Sequence, residues 1–151
     1  MSYDLLIGST SSISAIELAI AQTEFEANRE KMAAAITQAI MARPDLEQLV
    51  NADHHEMIAI NHHNHARFIS ALMLSFDGKE LVDSVLWVLR AYRAHGFNKN
   101  YWPIELNTCL EVMAAELSNE AFEAIQPLYD WMINSLPSLF QLAESSTESK
   151  S

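Results

Sequence analysis

The sequence has few of the residues that interrupt or cross-link secondary structure: 3 Gly, 4 Pro and 1 Cys among 151 residues. A single Cys excludes an intramolecular disulfide framework and suits a reducing compartment. The scarcity of Gly and Pro favours long helices. No strand-like alternation of apolar and polar residues of any length appears, and no repeat of fixed period is visible. The composition therefore predicts an all-α protein.

Positive charge is also scarce, with 9 Lys and Arg against 20 Asp and Glu and a formal net charge of −11. Such a chain has little to neutralise phosphates, so neither nucleic acid nor an anionic membrane surface is an expected partner. Apolar residues make up 50% of the chain, yet no run is long and apolar enough to predict a membrane span. The N-terminus lacks the features of a secretion signal. We expect a cytoplasmic protein.

Motifs of enzymes are missing as well. There is no nucleophile elbow, no phosphate-binding loop and no pair of catalytic carboxylates, so the chain is not predicted to be an enzyme. Cys109 lies between Leu106 and Leu110 in an apolar helical segment, which predicts an inert buried thiol.

About seven helices are predicted, in one domain over residues 14–142. Residues 1–13 are expected to form a loose arm and residues 143–151 a disordered tail. Ser14 and Glu17 form a capping box that begins the first helix, with an apolar stripe of Ile16, Ala19 and Ile20. A second helix over residues 24–41 places Met32, Ile36 and Ile40 on one face.

The second half of the chain continues this helical pattern. Pro44 begins a short helix, and longer helices are predicted over residues 55–76, 81–95, 101–117 and 119–142. Gly96 is the natural left-handed stop of the helix before it. Pro127 and Pro137 should kink or shorten the last helix. Four large aromatic side chains are expected in the core or between helices, although an aromatic ligand pocket is the alternative: Trp87, Trp102, Tyr129 and Trp131.

Four stretches, in order and at matching separations, resemble the globin family, in particular the bacterial single-domain globins. They are IMARPDLEQLV, HARFISALMLSF, RAYRAHGFNKNYWPIELNTCLEVM and NEAFEAIQPLYDWMINSL. These are similar to the family's short helix after a Pro, its distal helix, its proximal helix with the following corner, and its last helix. The resemblance covers residues 14–142 and implies a globin-like fold with heme as the cofactor.

The family's iron-ligand position falls on Tyr92, four residues before Gly96 in this chain. His95, one residue before that Gly, lies about 300° around the helix from Tyr92 and about 4.5 Å further along its axis, so its register is wrong for a ligand. The heme-stacking position falls on Val50. The distal position falls on Asn64 or His65, and Phe68 of the same helix completes the expected pocket.

A Tyr ligand must act as a phenolate and favours ferric heme. Arg90 or Arg93 is the expected source of a lower phenol pKa. The resemblance therefore implies a globin-like domain with an altered heme pocket, a sensory or regulatory ligand-binding protein that does without heme. The alternative is a heme globin that binds oxygen or another diatomic gas through Tyr92, His95 or a distal His. We expect a homodimer formed through the last two helices, and a separate signalling protein as partner.

A cluster of histidines, DHHEMIAINHHNHARF, precedes and begins the predicted distal helix. The simplest interpretation is a solvated, His-rich helix start. In a second interpretation, His62 or His65 reaches a tetrapyrrole from the distal side. In a third, these two residues, one helical turn apart, hold Zn²⁺, Cu²⁺ or Ni²⁺ as an independent metal site.

Overall fold

A computed structural model describes residues 2–148 of the chain, with side chains described as far as residue 145. These residues contain seven α-helices and no strand, which confirms the all-α prediction and the number of helices. The helices are α1 (Tyr3–Ser9), α2 (Ala15–Met41), α3 (Leu46–Leu49), α4 (Glu56–Leu74), α5 (Gly78–Arg93), α6 (Tyr101–Glu116) and α7 (Asn119–Glu148). Short 3₁₀ turns occupy Thr10–Ser12 and Ala52–His54.

The predicted helix-end signals act as expected. The Ser14 hydroxyl accepts a hydrogen bond from the Glu17 N–H at 3.2 Å and so caps α2. A cap that was not predicted begins α5 at Gly78 rather than at residue 81, because the Asp77 carboxylate accepts a hydrogen bond from the Lys79 N–H at 2.9 Å. Gly96 has a φ of +82°, the left-handed conformation expected of a helix stop. Regular α5 ends at Arg93 rather than at residue 95, because the last residues tighten into three-residue turns.

The prediction of a loose N-terminal arm is wrong. Leu6 of α1 is buried in the core, and the Ser9 hydroxyl accepts a 2.8 Å hydrogen bond from the Trp131 indole N–H of α7. The Tyr3 hydroxyl donates to Asp83 of α5 at 2.5 Å. The buried side chains of Leu6, Thr10 and Ile13 and two long-range hydrogen bonds hold this segment. None of these contacts is visible as a local pattern.

Residues 15–41 form one helix instead of two, and the predicted stripe of its first half is also wrong. Ile16 and Ile20 are 75% and 76% exposed. The buried positions are Leu18, Ala21 and Phe25, which follow each other at helical spacing on a different face. The later prediction holds, since Met32, Ile36 and Ile40 are all buried.

The last helix runs through both of its prolines. Pro127 and Pro137 lie inside α7 with exposed side chains, so the hydrogen bonds that they cannot make lie on the solvent side of the helix. The expected disordered tail is wrong in part. Ala143 is buried and α7 continues to residue 148, while residues 149–151 lie outside the described residues.

The core is built around α2, which packs across α4, α6 and α7. Helix α7 also packs against α5 and α6. The corner after α5 is fastened to the end of α3, because Val50 and Phe97 form a backbone bridge and the Asn98 N–H donates to the Leu49 carbonyl at 2.8 Å. This fastening sets α5 opposite α4 and leaves a space between them.

Within residues 2–148, no single helix is both long enough and apolar enough to cross a membrane. The segments Tyr3–Ser12 and Ala15–Met41 meet the criteria of length and composition only when they are joined, and they meet at a 76° bend.

Candidate functional site

A cavity of about 420 Å³ lies between α4, α5, α6 and α7. This volume is within the usual range of small-molecule sites, which is about 300–1,000 Å³. Its walls are mostly apolar, with a few polar groups that converge on the space. The apolar lining comprises Phe68, Val85, Trp87, Val88, Leu89, Trp102, Leu106, Met132 and Leu136, and the polar lining comprises Asn61, Asn64, His65, Ser84, Tyr92 and Glu105.

A buried carboxylate stands in the α6 wall. Glu105 is only 2% exposed. Its Oε1 accepts a 2.5 Å hydrogen bond from the Asn61 amide of α4 and lies 3.2 Å from His62 Nε2. An unpaired buried carboxylate is strongly disfavoured, so these two α4 partners are what make Glu105 tolerable in the core.

His62 joins three helices. Its Nδ1 lies 2.7 Å from the Thr37 hydroxyl of α2, and its Nε2 lies 2.7 Å from the Tyr101 hydroxyl of α6. The ring is 2% exposed and stacks nearly parallel to Tyr101. Every polar atom of His62 therefore has a partner inside the protein, and the residue acts as a polar link between α2, α4 and α6.

His65 lines the cavity one turn later on α4. Its Nε2 lies 2.7 Å from the Tyr129 hydroxyl of α7. Burial lowers the pKa of His65 from 6.5, although the charge of Glu105 opposes the shift. Burial likewise raises the pKa of Tyr129 and of the neighbouring Cys109 thiol. His65, Tyr129 and Cys109 are therefore neutral at pH 7.

Tyr92 enters the cavity from α5. Burial and the charge of Glu105 raise its pKa above 10.0, and the nearby Asn64 side chain offsets only part of this effect. Its ring makes edge-to-face contacts with Phe97 and Trp102, at centroid distances of 4.9 and 5.8 Å. The phenol is therefore held neutral. The expected help from Arg90 or Arg93 is not among the effects on its pKa.

The structure brings together most of the predicted pocket residues and separates the others. Tyr92, Asn64, His65 and Phe68 all line the one cavity. Val50 does not line it, because its backbone bridge to Phe97 places this fully buried side chain elsewhere in the core.

His95 also lies away from the cavity. The residue is exposed beyond the end of α5, and its ring contacts His54 at a centroid distance of 5.3 Å. This position agrees with its sequence register, which lies almost one helical turn beyond Tyr92.

The interpretation of residues 55–65 as a solvated His-rich helix start is wrong for His62, which is buried, and for His65, which is half-buried and whose Nε2 lies 2.7 Å from the Tyr129 hydroxyl. Nor do they form a pair of open ligands, since both rings are engaged by hydroxyl groups. Within the part of the chain that the structure describes, no three His, Cys, Asp or Glu side chains are grouped so that they could hold a metal ion. Trp87 also departs from expectation, because it is 66% exposed and stands at the cavity rim.

The sequence interpretation missed Glu105 and Asn61. One signal was available: residues 101, 105, 109 and 113 are spaced by four, and three of them are Tyr, Cys and Met. A carboxylate on such a stripe faces the same side as its apolar neighbours. All four residues are indeed buried. A Glu at a position of a helix that is otherwise apolar and buried therefore predicts a polar partner in the core.

The residues do not fit a heme bound through Tyr92. An iron-bound Tyr is a phenolate, whereas burial and Glu105 favour the neutral phenol. The position expected to stack on the ring, Val50, is outside the cavity.

Comparison of the chain with models of protein families, with curated proteins and with solved structures gives no match.

Proposed function

We propose that this chain is a globin-like domain that binds a small molecule in the cavity between α4 and α7 without heme, and that it serves as a sensory or regulatory protein. One observation carries the proposal. Four residues assigned to the heme pocket by resemblance, Asn64, His65, Phe68 and Tyr92, line one cavity of about 420 Å³, while the residue in the iron-ligand position is kept as a neutral phenol.

The arrangement of helices supports the globin-like part of the proposal. The stretches that resemble the distal and proximal helices of globins correspond to α4 and α5, and the cavity lies between them. The corner that follows α5 has its left-handed Gly96, as the resemblance implies. Fold alone does not determine function, so the functional argument rests on the chemistry of the cavity.

Binding rather than catalysis suits the groups around the cavity. The Cys109 thiol is buried with a raised pKa, which makes it a poor nucleophile. The carboxylate of Glu105 and the ring of His65 are both engaged by neighbouring side chains. Glu105 keeps one oxygen outside its contacts with Asn61 and His62 and can orient a ligand through it by a hydrogen bond, in a site whose remaining walls are mostly apolar.

A route from ligand to surface supports the regulatory part. Helix α5 contributes Tyr92 to the interior of the cavity and the exposed Trp87 to its rim, and it packs along α7. A ligand that contacts α5 would bias the packing of α5 on α7. A homodimer through α6 and α7 and a separate signalling protein remain predictions.

The first test is the visible spectrum of the purified protein with one equivalent of hemin. We expect only the broad absorption of free or loosely associated hemin, unchanged in shape after reduction and addition of carbon monoxide. A matched pair of variants extends the test: Tyr92→His restores an imidazole in the iron-ligand position and should sharpen the spectrum, whereas Arg93→His adds an exposed imidazole next to it and should not.

A sharp Soret band in the unmodified protein, shifting on reduction and with carbon monoxide, would overturn the heme-free proposal in favour of the heme alternative. Single replacements Tyr92→Ala, His95→Ala and His65→Ala would then identify the ligand.

The second test asks whether the cavity binds an apolar probe. We expect 4-phenylbutanol to bind to the unmodified protein in a calorimetric titration. Val88→Phe should abolish this binding, because Val88 lines the cavity and a larger side chain fills it. Glu80→Phe is the control, since Glu80 is an exposed residue of the same helix. Equal binding by both variants would contradict the cavity as the site.

A further inference from the structure

The cavity has an unusual charge pattern for a mostly apolar space. Among the described residues that line it, Glu105 is the one carboxylate, and there is no Lys or Arg. Both contacts that the structure shows for this carboxylate, with Asn61 and with His62, use Oε1. The remaining oxygen is therefore the one available to a ligand.

The imidazole nearest to Glu105, that of His62, is placed behind the carboxylate as seen from the cavity. His62 does not line the cavity, and its Nδ1 is engaged by the Thr37 hydroxyl on the α2 side. Glu105 does line the cavity. A ligand in the cavity is thus closer to the carboxylate than to the imidazole. The electrostatic potential at the ligand is therefore negative even if His62 is protonated.

No other group in the wall compensates this negative field. His65 is the one imidazole in the lining, and burial lowers its pKa, so it carries no positive charge at pH 7. Tyr92 remains a neutral phenol because burial and Glu105 raise its pKa. The cavity therefore attracts a cation and repels an anion.

The aromatic side chains of the lining favour the same class of ligand. Tyr92, Trp102 and the rim residue Trp87 all face the cavity. A cation is attracted to the face of such rings, and the attraction is largest where water is excluded. The aliphatic remainder of the wall suits an apolar body of the ligand.

We propose that the cavity binds a protonated amine with an apolar body, and that the ammonium group of this ligand pairs with the Glu105 carboxylate. The inference depends on the proposed ligand-binding function and adds to it the chemical class of the ligand. A carboxylate ligand would place like charges side by side in a buried space, and a neutral one would forgo the charged hydrogen bond.

The test uses three probes with the same apolar body: 4-phenylbutylamine, 4-phenylbutanol and 4-phenylbutyrate. Each is titrated into the full chain at pH 7 in a calorimeter. We expect the amine to bind about tenfold more tightly than the alcohol, which is the factor that one charge-assisted hydrogen bond adds over a neutral one. The carboxylate should bind most weakly.

A pair of variants on α6 locates the effect. Glu105→Gln removes the charge with little change of volume. In this variant the dissociation constants of the amine and the alcohol should differ by no more than about twofold. Glu111→Gln, at an exposed position of the same helix, should retain the full preference. Circular dichroism confirms that each variant is folded, and the ranking of probes on the unmodified protein decides the matter if Glu105→Gln does not fold.

The outcomes separate the two proposals. If the alcohol or the carboxylate binds the unmodified protein as tightly as the amine, or if folded Glu105→Gln keeps the amine preference, the amine assignment is overturned while the proposed binding function stands. If none of the three probes binds, both the amine assignment and the ligand-binding function are overturned.

Discussion

His62 Nε2 and Glu105 Oε1 lie 3.2 Å apart, with both side chains buried in the interior between α4 and α6. Asn61 shares the same carboxylate oxygen, and Tyr101 shares the same imidazole nitrogen. Two adjacent residues of α4 thus hold a carboxylate of α6 at the wall of the cavity. This small network both stabilises the packing of the two helices and determines the electrostatics of the site.

Loss of the carboxylate should be costly for folding. We expect Glu105→Ala to lower the free energy of unfolding by about 1–3 kcal/mol, because it leaves the buried amide of Asn61 without its partner, whereas His62 keeps the Tyr101 and Thr37 hydroxyls. Urea unfolding followed by circular dichroism measures the effect. Glu111→Ala on the exposed side of α6 should change stability by less than about 0.5 kcal/mol. Equal losses in the two variants would contradict a structural role for the network.

Any side chain at Gly78 should disturb the packing of the N-terminal segment on α5. A Cβ at this position would overlap the Thr10 hydroxyl, so Gly78→Ala should destabilise the protein by about 1–3 kcal/mol. Gly8→Ala is the matched control, because a Cβ there meets no atom within 4 Å and should stabilise α1 by about 0.5–1 kcal/mol. The double variant Gly78→Ala with Thr10→Ala should regain part of the loss. A neutral Gly78→Ala would mean that the N-terminal segment is not packed on α5.

The corner after α5 should require glycine. Gly96 has a φ of +82°, a conformation that costs other residues about 1–2 kcal/mol. A Cβ would also lie 3.1 Å from the Cβ of Asn51. We therefore expect Gly96→Ala to lower the midpoint of urea unfolding, and Gly96→Asn to lower it less, because Asn adopts the left-handed conformation more readily than Ala. Equal midpoints for the unmodified protein and Gly96→Ala would contradict this conformation.

The pH dependence of stability should contain a contribution from His65. Its pKa in the folded protein is below 6.5, and the cause is burial. Between the folded and the unfolded pKa values, the unfolded chain binds more protons than the folded one. Stability from this group is therefore complete above about pH 6.5 and decreases as the pH falls, by at most about 1.4 kcal/mol per pH unit.

His65→Gln tests this contribution, because Gln does not titrate and can still hydrogen-bond to the Tyr129 hydroxyl. The free energy of unfolding in urea is measured at pH 7.5 and at pH 5.5. Its decrease between these two pH values should be smaller for His65→Gln than for the unmodified protein. His63→Gln, at a half-buried neighbouring position, is the control for removing a histidine. If the loss is the same in all three proteins, His65 is accessible to protons in the folded state.

Local patterns predicted well those features that depend on neighbours in the chain. The Ser14 cap, the left-handed Gly96 and the stripe of Met32, Ile36 and Ile40 each follow from residues within one or two helical turns. The same reasoning failed for the stripe of Ile16 and Ile20, because periodicity shows that a helix has apolar residues but not which neighbouring helix will cover them. Only packing against α4, α6 and α7 exposes these two residues and buries Leu18 and Phe25.

The candidate site divides in the same manner. The resemblance led to Tyr92, Asn64, His65 and Phe68, and these residues share one cavity. The chemistry of that cavity depends on Glu105, which is separated from Asn61 by 44 residues along the chain. No spacing rule connects residues so far apart, and the partners of a buried charge are known only when the helices are assembled.

The sequence by itself therefore determined the all-α class and most of the helix ends, because these properties arise from backbone preferences and hydrogen bonds between near neighbours. The total of seven helices agrees only because the missed α1 offsets the division of α2 into two predicted helices. Tertiary structure decided which histidines are buried, which apolar faces are exposed and where the carboxylate of Glu105 points. The physical reason is that burial and charge pairing depend on contacts between distant segments. For Tyr92, the sequence assigned the position, and only the surrounding core decided that the pKa of its phenol is raised, which opposes the phenolate form.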